Sequence, residues 1–398
     1  MQIIIPMSGF GERFRKAGYT VPKPLIEIEG KPIIAHVIDM FPGETDFIFI
    51  CNQNHLDEPG YRMREILAQY CPTGVVVGIP SHKLGPVYAV AQVAGLIDTA
   101  RPVVVNYCDF TCYWDWQHFK RYVADCGCDG AIPAYRGFHP HTLGTTNYAY
   151  MREANGWVQD IQEKQPYTDN RMDEYASSGT YYFASGALMR DAFAATQSRN
   201  LSVSNEFYVS LAYKPLLESG KQIAVYDLQH FMQWGTPEDV AEYRMWSDAF
   251  RRLVDPAFSK PLHSAGTTLI PMAGLGERFS REGYTTTKPL ILVSGKPMVV
   301  QATGDLPITD QQVFVLRRDM PGLEAIVSVL RSNFPAVHTV VLDGPTDGQA
   351  RTALLGWQSI PAAARADILL TIAACDNGAL YRPERLQQLL DDPATDVI

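Results

Sequence analysis

The sequence predicts an α/β fold: a mostly parallel, mixed β-sheet with helices on both faces, present twice along the chain. Three observations carry this expectation. Short apolar runs rich in Val and Ile alternate with amphipathic stretches, the pattern of parallel strands buried on both sides. The first run leads into a glycine-rich turn, "PMSGFGERFRKAGYTVPKPL", from Pro6 to Leu25. Nearly the same stretch, "PMAGLGERFSREGYTTTKPL", returns from Pro271 to Leu290.

Taken in order, "QIIIP" reads as a strand and "PIIAHVIDMF" as a helix. "DFIFICN" is a strand, "GYRMREILAQY" a helix and "GVVVGI" a strand. "GPVYAVAQVAGLI" then reads as a helix and "PVVVNYCD" as a strand. After about Gly130 the order shifts to a hairpin-like "NYAYMREANGWVQDIQEK" and to "SSGTYYFASG", which predicts a mixed second half of the same sheet.

Sliding the sequence by 265 residues aligns Pro6 with Pro271 and Lys23 with Lys288, and 17 of the 27 positions in Pro6–Pro32 are identical. A match this long indicates two copies of a domain and not a short solenoid repeat. We expect a complete domain at 1–258, a linker at 259–267 within "SKPLHSAGTT", and a partial second domain at 268–398. The second region reads as a half-domain, or as part of a longer one.

The chain has 398 residues, 46% of them hydrophobic and 19% charged, with a formal net charge of -9. Without a dense Lys/Arg run, nucleic acid and anionic membranes are disfavoured as partners. The seven cysteines lack the paired spacing of a zinc site, and buried thiols in a reducing compartment are expected. "MQIIIPMSG" is unlike a signal peptide and no run is long enough to span a bilayer, so the expected location is cytoplasmic.

Gly9-Phe10-Gly11-Glu12-Arg13 lies between a strand and a helix, where backbone N–H groups can meet phosphate oxygens. Phe14 stands where the dinucleotide fingerprint has a third glycine, and no G-K-[ST] follows, so the G-x-G alone fits a structural turn equally well. Arg13 adds a planar fork for phosphate, and Lys23, between two prolines, adds a point charge. Gly274, Gly276, Arg278 and Lys288 repeat these residues at the same spacing.

"IIPMSGFGERF…PKPLIEIEGKPII" resembles the sugar-phosphate nucleotidyltransferases, in the version associated with capsular or other surface polysaccharides. The resemblance implies a Rossmann-like nucleotidyltransferase fold. It also implies transfer of a nucleotidyl group from a nucleoside triphosphate to a sugar 1-phosphate, with Mg2+ as cofactor. Arg13 and Lys23 would then be catalytic, and Gly9, Phe10, Gly11, Glu12 and Gly85 would bind nucleotide. Asp109 would hold the metal, and Glu163, Lys164 and Gly179 would bind the sugar phosphate. In the second copy Gly274, Gly276, Arg278, Lys288 and Gln349 would bind nucleotide, with Asp376 as the metal ligand. A homo-oligomer is compatible with this reading.

Three positions depart from the family pattern. Gln165 and Thr287 replace prolines, and Gln233, in "FMQWGTPED", stands where a second metal-binding aspartate is common. Gln233 keeps open a second reading, a nucleotide-binding regulatory or scaffold protein with degenerate catalysis. A third reading retains the chemistry but uses a non-sugar phosphate or phosphonate acceptor. "YWDWQHF" is expected to pack a loop and helix onto the sheet, and His139 and His141 to be solvated loop residues.

Overall fold

The computed structural model describes residues 1–139, 142, 144, 147–255, 261–365 and 369–397. They divide into two compact units, Met1–Met245 and Trp246–Ile398, the border falling inside the helix Pro237–Val254. Ser259 and Lys260 of the expected linker, and His141, lie outside the described residues.

The first half of unit one contributes β1 (Gln2–Met7), the short hairpin β2 (Glu27–Ile28) and β3 (Lys31–Pro32), and then β4 (Phe47–Asn52), β5 (Val75–Ile79), β6 (Val103–Asn106) and β7 (Phe110–Tyr113). The second half adds β8 (Gly130–Tyr135), β9 (Ala149–Ala154), β10 (Trp157–Glu163), β11 (Tyr175–Ser177), β12 (Thr180–Phe183), β13 (Ile223–Asp227) and β14 (His230–Gln233). Ten of these form one sheet in the order β11-β9-β10-β13-β8-β12-β6-β1-β4-β5.

The sheet is mixed, as expected, but it is not mostly parallel. Parallel pairing is confined to β5-β4-β1-β6 and to β8 with β13. The other pairings are antiparallel. Connection length accounts for one of these: β9 and β10 are joined by the two-residue turn Asn155-Gly156, which can only reverse the chain, whereas parallel neighbours need a crossover.

Strand alternation builds two cores. Ile3, Ile5, Phe47, Phe49 and Val104 face a cluster completed by Phe14, Leu67, Trp116 and Phe119. Ile4, Ile48, Ile50, Val103 and Val105 face another, completed by Val87, Val90, Met189 and Phe193. Each face is covered by helices, so all three residues Ile3–Ile5 are fully buried. The helix read in "GPVYAVAQVAGLI" ends at Ala91 and gives way to a tighter turn at Ala94–Leu96.

Unit two contains β15 (Thr267–Pro271), the hairpin β16 (Leu292–Val293) and β17 (Lys296–Pro297), then β18 (Gln311–Arg317), β19 (Val337–Leu342) and β20 (Leu370–Ile372). Its four-stranded sheet runs β19-β18-β15-β20, all parallel, the same order and sense as β5-β4-β1-β6. Its residues also divide by face, with Ile270 and Phe314 on one side and Leu269, Val313 and Val315 on the other.

Candidate active site

In unit one, the segments that follow β1, β5 and β6 meet beyond the carboxyl ends of these parallel strands, where open α/β sheets bind ligands. There they line a cavity of about 510 Å³. Every unit-one residue expected to bind nucleotide, metal or sugar phosphate, from Gly9–Arg13 through Lys23, Gly85 and Asp109 to Glu163, Lys164 and Gly179, lines this one cavity, whereas Gln165 does not.

Lys23 opens a single 3-10 turn, Lys23–Leu25, with Pro22 and Pro24 restricting the backbone on either side. Its Nζ donates to Asp109 Oδ2 at 2.7 Å, and both side chains are about one-quarter exposed (24% and 26%). Enclosure pulls the ammonium toward neutrality, but the charge and hydrogen bond of Asp109 outweigh it and hold the Lys23 pKa above its ordinary value. Burial pushes the Cys108 thiol itself up to about 12, which keeps it protonated and poorly nucleophilic.

The glycine loop is joined to the segment after β5. His82 Nδ1 accepts from the Leu84 N–H at 3.2 Å, so in the neutral ring Nε2 carries the proton and donates to Ser8 Oγ at 3.0 Å. Lys83 pairs with Glu12 at 2.6 Å and its Nζ stands 5.6 Å from the Phe10 ring centroid. Gly85 has φ +84, and a Cβ there would lie 2.7 Å from Phe207 N and 2.8 Å from Phe207 O. The two backbones are bonded at this point, Phe207 N to Leu84 O at 2.9 Å and Val87 N to Phe207 O at 3.1 Å, so only glycine fits. Arg13 is exposed and lines the cavity.

On the other wall Glu163, the last residue of β10, is buried and accepts from Ser210 Oγ at 2.5 Å. Burial raises its pKa to about 7, against the opposing pull of the Ser210 hydroxyl and Lys164. Lys164 has φ +60 and donates to Tyr208 OH at 2.5 Å, its Nζ 4.5 Å from that ring's centroid. Tyr208 OH in turn donates to Glu206. The Gly179 carbonyl accepts from Tyr107 N at 3.0 Å, which fixes the adjoining segment.

β14 pairs with β7 so that Gln233 lies opposite Phe110, and Trp234 N donates to Asp109 O at 2.7 Å. Gln233 is buried and both ends of its amide are engaged: Oε1 accepts from Tyr148 OH, and Nε2 donates to Asp239 Oδ1 at 2.7 Å. Burial raises the Asp239 pKa and the charge on Asp109 adds to the rise, while hydrogen bonds from Thr236 oppose it. Sequence reasoning passed over Asp239, Tyr148, Tyr208, Glu206, His82 and Lys83. A signal existed only for Asp239, because T-x-x-D before a helix is a capping-box pattern.

In unit two Lys288 opens the corresponding turn, Lys288–Leu290, and its ammonium pairs with Asp376. Gly276 packs against Lys288, where a Cβ would come within 2.9 Å of the Lys288 Cβ. Arg278 lies in the helix Glu277–Arg281 that follows, and Gln349 opens the helix Gln349–Ser359. Gly274 occupies the turn between β15 and that first helix.

The "YWDWQHF" stretch packs as expected: Trp116 and Phe119 are in the core, and Trp116 Nε1 donates to Glu44 Oε1 at 3.1 Å. His139 is not a solvated loop residue, since its Nε2 is bonded to the Phe231 carbonyl at 2.9 Å and burial lowers its pKa. No described helix is long and apolar enough to cross a membrane.

With this geometry in view, the comparisons with known proteins are concordant. A mannose-1-phosphate guanylyltransferase catalytic subunit beta from Danio rerio is 25% identical over 244 residues, covering 60% of this chain and 62% of that protein. A mannose-1-phosphate guanyltransferase beta-B from Xenopus laevis is 25% identical over 248 residues with the same coverage. The chain thus spans less than two thirds of the length of these relatives. A solved structure assigned as a glucose-1-phosphate thymidylyltransferase from Bacillus anthracis superposes with a TM-score of 0.50 at 15% identity, over 62% of this chain and 95% of that one, and shows the shared α/β fold. The profile of the nucleotidyl transferase family matches residues 2–248, well over half of the chain, and the chain therefore belongs to that family.

Proposed function

We propose that the 1–258 region transfers a nucleotidyl group from a nucleoside triphosphate to a sugar 1-phosphate, releasing pyrophosphate. The observation that carries this reading is one cavity holding a glycine loop, the Lys23–Asp109 pair and the Glu163-Lys164 wall together. The first two suit a triphosphate, and the last suits an anionic, hydroxyl-rich acceptor.

The sugar-phosphate oxygen attacks the α-phosphorus and the bond to the β-phosphate oxygen breaks. The nucleophile is already an anion, so the chain needs no strong general base; it needs alignment and charge neutralisation. Amides of Gly9–Gly11 and the Arg13 guanidinium hold the β- and γ-phosphates. Lys23 stabilises charge growing on the α-phosphate oxygens, and Lys164 steers the acceptor phosphate.

Asp109 offers a hard carboxylate oxygen at the cavity wall, a donor that fits a divalent cation such as Mg2+. Such an ion, when bound, supplies further neutralisation of phosphate charge. The resemblance of the opening stretch adds surface polysaccharide as the destination of the product.

Unit two is read as a second copy of the nucleotide-binding half. The shared strand order and the Lys288–Asp376 pair support this. A regulatory role without turnover is the second reading, favoured by Gln233, a neutral amide with both ends engaged. Pyrophosphate release by the full chain, with four nucleoside triphosphates, a panel of sugar 1-phosphates and Mg2+, separates the two. Release with one pair supports the transferase, while nucleotide binding without any release supports the regulator.

A further inference from the structure

We propose that Asp239 is the second carboxylate of the metal–phosphate centre, facing Asp109 across a gap that Gly235 keeps open. The inference rests on the nucleotidyl-transfer reading above and extends it to a residue of the "FMQWGTPED" stretch to which the sequence pattern assigned no role.

Asp239 is the third residue of the helix Pro237–Val254 and forms a reciprocal cap with Thr236. Thr236 N donates to Asp239 Oδ2 at 2.8 Å, and Asp239 N donates to Thr236 Oγ1 at 3.2 Å. Capping alone would leave this carboxylate at the helix edge. Instead it lines the cavity and takes a further bond, from Gln233 Nε2 to Oδ1 at 2.7 Å. A carboxylate offers about four lone-pair sites, so acceptor capacity toward the cavity remains.

The second observation concerns space. A Cβ on Gly235 would lie 3.4 Å from Asp109 Oδ2 and 3.5 Å from Asp239 Oδ2, so both oxygens border one small volume. A methyl group would occupy it in ordinary van der Waals contact with both. Gln233, engaged by Tyr148 and Asp239, serves as the brace that aims Asp239 and contributes no charge of its own. Among the described residues no group of three His, Cys, Asp or Glu forms a protein-only cage. Two carboxylates suit a small hard cation that also takes phosphate oxygens and water.

The test is Mn2+ uptake by the full chain, read as loss of the free-ion electron paramagnetic resonance signal, in wild type, D239N, G235A and the double variant Q233D/D239N. Mn2+ alone is the probe because it shares the preference for oxygen ligands. D239N and G235A are each expected to weaken uptake by roughly 10-fold or more. The double variant, with the charge moved to the brace position, is expected to recover part of it. G235A leaves both carboxylates and the helix cap intact, so its loss cannot be assigned to a damaged cap.

Wild-type uptake in both D239N and G235A, or no uptake by the wild type, overturns the proposal. Pyrophosphate release by the wild type is measured separately. Release with unaffected Mn2+ uptake in the variants sinks the Asp239 assignment alone, whereas no release with any substrate pair sinks the transfer reading.

Discussion

Lys23 and Asp109 are far apart in sequence; the lysine was legible from its two flanking prolines and its charge, whereas Asp109, between β6 and β7, was named only through the family resemblance. Lys23→Ala is expected to lower turnover by about 100-fold or more, the scale of removing one preorganised charge donor. Pyrophosphate release by a folded variant checks this, and near-normal turnover removes Lys23 from the chemistry. Glu163 was legible as a motif residue, but its burial was not, because Ser210 reaches it from a distant segment. Its folded pKa of about 7 lies above the ordinary 4.5, so the folded state binds the extra proton within that window. Stability therefore contains a contribution present below pH 4.5 that is lost as pH rises through 7. Urea unfolding of Glu163→Gln across this range should show a shallower decline than wild type.

At the level of elements, strands were easier to place than their directions. Ile3–Ile5 and Val103–Val105 announce strands buried on both faces, but nothing in "TYYF" announces that β12 runs against β6. Of the reversals, only the hairpin-like stretch that holds the Asn155-Gly156 turn was readable, because a two-residue connection must reverse the chain. The loop after β5 was legible at Gly85 and not at His82 or Lys83, whose partners Ser8 and Glu12 belong to the glycine loop, some seventy residues away in sequence. Gly85→Ala should destabilise the protein by about 1–3 kcal/mol or more, since it combines an unfavourable positive φ with a clash against the Phe207 backbone. Denaturant unfolding measures the loss, and an unchanged midpoint would mean that the Gly85–Phe207 contact yields easily. The Gln233–Asp239–Thr236 cluster was the least legible part of the site. A capping pattern gives the local bonds but not the turn of the carboxylate toward Asp109.

For the molecule as a whole, the repeated stretch led to the expectation of two related sheets, and the two units share a four-strand order, β5-β4-β1-β6 and β19-β18-β15-β20. The reading of unit two as a nucleotide site makes a prediction at this scale. Lys288→Ala in the full chain should lower nucleoside triphosphate stoichiometry, measured by calorimetry, from two sites toward one while sparing pyrophosphate release. One site in both proteins would leave unit two without that role. Both units also contain the same lysine–aspartate contact, Lys23 with Asp109 and Lys288 with Asp376. In the proposed reaction of unit one this makes Lys23 the resting counter-ion of Asp109. An arriving phosphate must compete with that internal salt, so part of its attraction goes into exchanging partners and tight ground-state binding is held down. When the charged product leaves, the pair closes again and the emptied pocket is already neutralised, which favours release over retention.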